Sequence, residues 1–224
     1  MKSKLVPKAN KKSIYFKNAR YYDLLHHLQT LWADNYHRNE TINLAKKYVA
    51  EPINLLEIGC GTGIFTKKVK REFQNSKFYC FDRSIDMIKV GKVKSQTNNV
   101  LLADLLYPPF ADNTFDLILG TYVLGGIKLE PNYILKLNNL LKKNGKFCIC
   151  EMTEPGEKVM NIFIHLHRLI VEPFINKIWG FVNINKDMIL RDGTFKLLEE
   201  KYYKNRLLGS TTIFCFEKSE QFIG

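Results

Sequence analysis

Leu55-Leu56-Glu57-Ile58-Gly59-Cys60-Gly61-Thr62-Gly63 decides the fold of this chain. Asn54 to Ile58 is a short apolar run of strand type. Three glycines at alternate positions follow it, and then a helical stripe of Ile64, Phe65, Val69 and Phe73. Glycines at that spacing let the backbone turn sharply and approach a ligand with no side chain in the way. The helix that opens here, over Thr62 to Phe73, turns its first N–H groups toward the loop, where they suit a carboxylate. The GxGxG spacing differs from the GxGxxG of dinucleotide sites.

Working outward, strand-like and helical runs alternate. Lys77 to Phe81 reads as the second strand and Ile85 to Val93 as a helix; Val100 to Ala103 is the third strand and Phe115 to Thr121 the fourth. Pro131 to Lys142 reads as a helix with proline near its start, where the missing N–H costs nothing. Asn144-Gly145 is expected to end it, ahead of a fifth strand from Gly145 to Cys150. Alternation of this kind implies right-handed βαβ units and a parallel sheet covered on both faces. Ala19 to Val49, before the sheet, reads as one or two helices. After Glu151, Val159 to Lys177 has the pattern of an amphipathic helical insertion, and Asp187 to Tyr203 contains a helix interrupted near Asp192-Gly193. Arg206 to Leu208 and Thr212 to Glu217 are expected to close the sheet as a strand pair around Gly209-Ser210.

Two acids complete the pattern. Asp82 ends the second strand, where a carboxylate accepts both hydroxyls of a ribose. Asp104 ends the third, where an acceptor suits an adenine amino group. The ends of successive parallel strands line one edge of the sheet, so both acids converge with the glycine loop on one ligand.

From Ile53 to Glu151 these residues resemble the class I S-adenosylmethionine-dependent methyltransferases. Glu57 to Gly63 is similar to their first motif, and Phe81-Asp82-Arg83-Ser84 with Met87 to their ribose motif. Ala103-Asp104-Leu105, Pro109-Phe110 and Phe115-Asp116-Leu117-Ile118 resemble the adenine segment and fourth strand. Leu140 to Lys146 resembles the turn before the fifth strand, with Asn144 where proline is common. The resemblance implies a Rossmann-like methyltransferase fold: a mostly parallel seven-stranded sheet with helices on both faces. It implies S-adenosyl-L-methionine as cofactor, held by Glu57, Gly59, Cys60, Gly61, Asp82, Arg83, Met87, Asp104, Leu105 and Thr121, with Glu57 near the methionine amino group. No metal is called for. The sulfonium is already a good methyl donor, so the protein has chiefly to align a nucleophile in line and exclude water.

The acceptor is read from two segments. Tyr21-Tyr22-Asp23-Leu24-Leu25, then Trp32 and Arg38, resemble the entry segment of the methyltransferase type 11 and ubiquinone/menaquinone C-methyltransferase relatives. Their Trp-Arg pair is split here by Ala33. That resemblance makes residues 19–49 a helical arm over the cofactor and Tyr22 a candidate border of the methyl group. The insertion, taken as residues 157–185, is rich in Ile, Phe, Leu and Trp179, which suits a lipophilic acceptor such as a quinol, phenol or lipid headgroup, or contact with a membrane surface. His165 or His167 within it could deprotonate a phenol, and His165 is the second candidate catalytic residue. Tyr107-Pro108-Pro109-Phe110 is similar to the Asn/Asp-Pro-Pro-Tyr signature of adenine-N6 and glutamine methyltransferases. It precedes the fourth strand instead of following it, and Tyr107 supplies no amide or carboxylate.

Length and composition suit a single α/β domain over residues 19–224: 224 residues with 46% apolar content. Of the net charge of +12, seven basic residues fall in the first 20 positions with no acid. Residues 1–18 thus read as a basic arm, a solvated tail or a contact for an anionic surface. The arm keeps open an RNA methyltransferase, although no basic stripe interleaved with aromatics accompanies it and nucleic acid is not the partner expected. A non-catalytic binding or assembly protein on the same fold is the third reading. Cys60, Cys80, Cys148, Cys150 and Cys215 are odd in number and mostly strand-borne, which suggests free thiols and no zinc site. A reducing, cytoplasmic compartment is expected, with peripheral membrane contact and organellar import left open. The apolar stretch Val159 to Val182 is broken by charges and does not read as a membrane span.

Overall fold

The computed structural model describes residues 19–30, 32–97, 99–127, 129–153, 183–205 and 209–219. In chain order these form α1 (Ala19–Thr30), α2 (Asp34–Tyr48), β1 (Asn54–Ile58), α3 (Ile64–Glu72), β2 (Lys77–Asp82), α4 (Ile85–Ser95), β3 (Val100–Leu102) and β4 (Phe115–Thr121). A single 3-10 turn (Leu124–Gly126), α5 (Pro131–Leu140), β5 (Leu141–Thr153), α6 (Lys186–Leu190), β6 (Phe195–Asn205) and β7 (Gly209–Lys218) follow. The strands make one seven-stranded sheet in the order β3-β2-β1-β4-β5-β7-β6. Strands β1 to β5 are parallel, and β7 runs antiparallel to both β5 and β6. This is the expected Rossmann-like methyltransferase architecture.

Burial on both faces explains why the inner strands read as unbroken apolar runs. Alternate residues of each strand go to opposite cores. Leu55, Leu117, Cys148 and Cys215 pack with Ile42 and Ala45 of α2 and Phe65 and Val69 of α3. Leu56, Ile118, Ile149 and Phe214 pack with Ile134, Leu137 and Leu140 of α5. All five cysteines are buried free thiols.

The glycine loop is wedged against α4 backbone to backbone. Gly63 is left-handed at φ +81, and a Cβ there would lie 2.8 Å from the Gly91 carbonyl oxygen; one on Gly91 would lie 2.7 Å from that of Gly61. Neither backbone can yield as a flexible side chain would. Gly91→Ala is therefore expected to lower the unfolding free energy by about 2–3 kcal/mol, as overpacking does. Urea unfolding measures this, and a change under about 0.5 kcal/mol would contradict the packing.

Three readings of the C-terminal half are corrected. The helix from Pro131 ends at Leu140, and Leu141 already pairs with Phe115. Asn144-Gly145 therefore lies inside β5, where Asn144 adopts φ +60, and the register shifts between Phe115 and Leu117 absorb the irregularity. The helix expected within Asp187 to Tyr203 is confined to Lys186–Leu190. A turn with Gly193 at φ +64 follows it, and Phe195–Asn205 is the edge strand. The closing pair is thus β6 with β7, Asn205 facing Gly209. Arg206 to Leu208, expected as a strand, fall outside the described residues. So do residues 1–18 and most of the insertion, with His165, His167 and Trp179. Among the described residues, no helix is long and apolar enough to cross a membrane.

Candidate cofactor site

The carboxyl ends of β1, β2, β3 and β4 open into one pocket, partly open to solvent. Its walls carry Glu57, Gly59, Cys60, Gly61, Asp82, Arg83, Met87, Asp104, Leu105 and Thr121, together with Tyr22. The strand ends thus bring together all ten residues expected at the cofactor, as well as the entry-helix tyrosine. Tyr107, of the dismissed signature, is exposed, and Phe110 packs edge-on against Phe115.

Asp82 organises the loop. Its two carboxylate oxygens accept N–H groups on either side: Gly61 donates to Oδ2 at 2.9 Å and Ser84 to Oδ1 at 2.8 Å. Each oxygen keeps lone-pair capacity for a further donor. Burial raises the Asp82 carboxyl above its ordinary value, and the two N–H groups pull it back. The Cys60 N–H donates to the Phe81 carbonyl, which ties the loop to the end of β2. Ser84 caps α4 by accepting from the Met87 N–H, so Met87 lies in the first turn, beside the pocket. Asp104 accepts the Leu106 N–H at 2.9 Å, which fixes the turn after β3.

The pocket lining also holds buried ionisable groups. Glu57 is 1% exposed, and its Oε2 has no hydrogen-bond partner among the described residues. Burial pushes its carboxyl up to about 8, against the pull of neighbouring Thr66 and of the Arg38 guanidinium. Arg38, on α2, is 6% exposed; it pairs through Nη1 with buried Asp34, and its Nε has no partner among the described residues. Asp34 also accepts from Thr30 Oγ1 and contacts His27 Nδ1 at 2.7 Å. A buried carboxyl and a buried guanidinium that each keep an unsatisfied polar atom in one pocket are costly, and such groups mark functional sites.

Aromatic and imidazole rings crowd the entry side. The Tyr22 ring stacks on His26 at 5.7 Å, and His26 meets the Tyr122 ring edge-on at 4.5 Å. His37 Nδ1 lies 2.8 Å from the Tyr122 hydroxyl, and the Arg38 guanidinium lies over the Tyr122 ring. Burial, and then Arg38, pushes His26 down to about 3, so it is neutral. Burial also raises both tyrosines, keeping their phenols protonated. Asp23 fastens α1 to the loop and to α4 through Thr62 and Lys94.

Arg38, Tyr122 and Val123 were not singled out for this pocket by the sequence. Arg38 was visible only as half of a split pair, and helix α2 delivers it from outside the glycine motif. Tyr122 and Val123 follow the end of β4, the strand-end position that identified Asp82 and Asp104, but they carry no acid or glycine to mark them.

Residues 24–180 match a family model described as a methyltransferase domain. The demethylmenaquinone methyltransferase of Bacteroides fragilis is 27% identical over 163 residues, covering 70% of this chain and 66% of that protein. The chain thus spans just under two thirds of that relative's length. Malonyl-[acyl-carrier protein] O-methyltransferase 2 of Ilyobacter polytropus is 37% identical over 99 residues, which cover 42% of this chain and 38% of that one. Among solved structures, N-methyltransferase NodS from Bradyrhizobium japonicum, in complex with S-adenosyl-l-homocysteine, superposes with a TM-score of 0.58. It is 19% identical, and the match covers 82% of this chain and 87% of NodS, a likeness of fold.

Proposed function

Because this chain belongs to the class I S-adenosylmethionine-dependent methyltransferase family, we propose that it methylates a small, lipophilic acceptor such as a quinol, phenol or lipid headgroup. One observation carries the cofactor side. Among the described residues, Glu57 Oε2 and Arg38 Nε are buried without partners, and both side chains line the same pocket as the Asp82-braced glycine loop. A zwitterionic amino acid offers an ammonium to the first and a carboxylate to the second, and a ribose offers its hydroxyls to Asp82. A Cβ on Gly61 would have nothing nearer than the Gly59 carbonyl oxygen at 3.9 Å, so the backbone there is open to close approach. The residues present therefore fit S-adenosylmethionine.

In this reading Glu57 and Arg38 hold the methionine end, and Asp82 holds the ribose. Asp104 and Leu105 border the adenine, with Met87, Ile127 and Tyr133 completing the apolar wall. Gly59, Cys60, Gly61, Arg83 and Thr121 line the remainder. When bound, the cofactor supplies an activated methyl group. The protein's part is to hold the acceptor nucleophile in line and keep water out. Tyr22 and Tyr122 are protonated and do not serve as bases, and the Tyr122 hydroxyl is already engaged with His37. Any general base then comes from elsewhere, and His165 is the candidate on the insertion.

The acceptor class is supported by the apolar composition of the insertion and by the similarity to the demethylmenaquinone methyltransferase of Bacteroides fragilis. The test is release of S-adenosylhomocysteine with extracted lipid quinols and, separately, with RNA. Turnover on quinol or lipid and none on RNA is expected. Turnover on RNA alone would overturn the acceptor reading.

A further inference from the structure

Strand β4 ends at Thr121, and the chain then turns over Tyr122 to Gly126. Tyr122 is left-handed at φ +56, and Val123 follows in the right-handed region at φ −110, ψ −42. A left-handed residue followed by a right-handed one turns successive N–H groups to the same side and makes a concavity for an anion. Here the group held is a carboxyl of the protein itself, which burial raises to about 7 against the pull of the N–H groups it accepts from. Glu151 of β5, 1% exposed, accepts from Val123 at 2.8 Å and Leu124 at 2.7 Å on Oε1, and from Gly125 at 3.4 Å on Oε2. The β4–β5 ladder sets this up. Thr121 pairs with Cys150, and the Tyr122 N–H donates to the Cys150 carbonyl at 2.7 Å, so residue 151 lies directly behind the turn.

The front of the same turn is pocket wall. Val123 and Gly126 line the pocket, while Glu151 does not. Val123 presses on the glycine loop so closely that a Cβ built on Gly59 would run into its side chain. The placement of Val123 against Gly59 thus depends on a carboxylate that never touches the pocket.

We propose that Glu151 is a positioning residue of the cofactor site, its carboxylate locking the turn at 122–126 so that Val123 and Gly126 close the pocket over the glycine loop. The proposal rests on the reading of this pocket as the S-adenosylmethionine site. Without the carboxylate, three N–H groups lose their acceptor, and a buried unpaired donor is strongly disfavoured. The turn then rearranges, and Val123 leaves Gly59.

The experiment is calorimetric titration of the full chain with S-adenosylhomocysteine. Glu151→Ala is expected to weaken binding about thirtyfold. Glu151→Gln, whose amide oxygen still accepts from Val123 and Leu124, should recover most of that loss and bind about fivefold more weakly than wild type. Because the effect passes through Val123, adding Glu151→Ala to Val123→Ala should weaken binding by less than about threefold further. A residue that merely supports the fold would show independent, multiplying effects and no graded recovery by glutamine. Glu151→Gln within twofold of wild type would overturn the proposal, as would multiplying effects in the double variant. The glutamine variant keeps the test decisive where the alanine variant fails to fold. A wild type that binds no S-adenosylhomocysteine would overturn the reading of the pocket itself.

Discussion

Asp82→Ala is expected to weaken S-adenosylhomocysteine binding at least about a hundredfold. Two effects combine. The variant removes a carboxylate proposed to accept both ribose hydroxyls, and hydrogen bonds to a charged group are worth about 1.5–3 kcal/mol each. It also removes the acceptor for the Gly61 and Ser84 N–H groups, so the loop loses the brace that joins it to the start of α4. Asp82→Asn separates the two. Its amide oxygen can still brace one of those N–H groups, while the charge is gone, and binding about tenfold weaker than wild type is expected. Calorimetry measures both variants. An alanine variant within threefold of wild type would remove Asp82 from the site.

Glu57→Gln has two expected effects of opposite kind. Burial raises the Glu57 carboxyl in the folded chain from 4.5 to about 8. The folded state therefore holds this proton more tightly than the unfolded state. The stabilisation is fully present below pH 4.5 and is lost progressively as the pH rises to about 8, on the order of a few kcal/mol for a fully buried carboxyl. Above that window the fold carries a buried carboxylate with an unpaired oxygen. Glu57→Gln removes that charge, so at pH 9 the ligand-free variant should melt above wild type, while at pH 5 the two should be close. Its cofactor affinity should fall about thirtyfold, because a neutral amide replaces the counter-charge for an ammonium. Thermal melting across pH, with parallel binding titrations, measures both. A variant less stable than wild type at pH 9 would show that Glu57 is held by partners and not aimed at a ligand.

The residues legible in the sequence carry their meaning locally. Gly59, Gly61 and Gly63 follow a buried strand, and Asp82 and Asp104 end the next two. Strand order alone then brings them to one sheet edge. Arg38, Glu151 and Gly91 were not legible as parts of the site, because each matters through a partner distant in the chain. Arg38 reaches the pocket from α2, and Glu151 needs the left-handed Tyr122 to aim three N–H groups at it. Gly91 is required only because Gly61 and Gly63 press on its backbone. Strand β6 was obscured for a different reason. Phe195-Lys-Leu-Leu-Glu-Glu-Lys-Tyr-Tyr-Lys-Asn is rich in helix formers, yet β7 offers a free edge, and pairing along its length overrides local propensity. Leu141 was assigned to a helix because Asn144-Gly145 looks like a helix stop, but the β4 ladder claims it first. Most of the insertion, His165 included, lies outside the described residues, and its composition carries the acceptor reading together with the relatives.

The pocket is proposed to hold the zwitterionic end of S-adenosylmethionine between Glu57 and Arg38. Calorimetry of S-adenosylhomocysteine binding at pH 7, in buffers of different ionisation enthalpy, tests it most directly. With its carboxyl raised to about 8, Glu57 is mostly protonated in the ligand-free chain and must ionise to face an ammonium. Binding should release about one proton in wild type and none in Glu57→Gln. No binding at millimolar ligand, or a binding enthalpy that is the same in every buffer, would contradict the account.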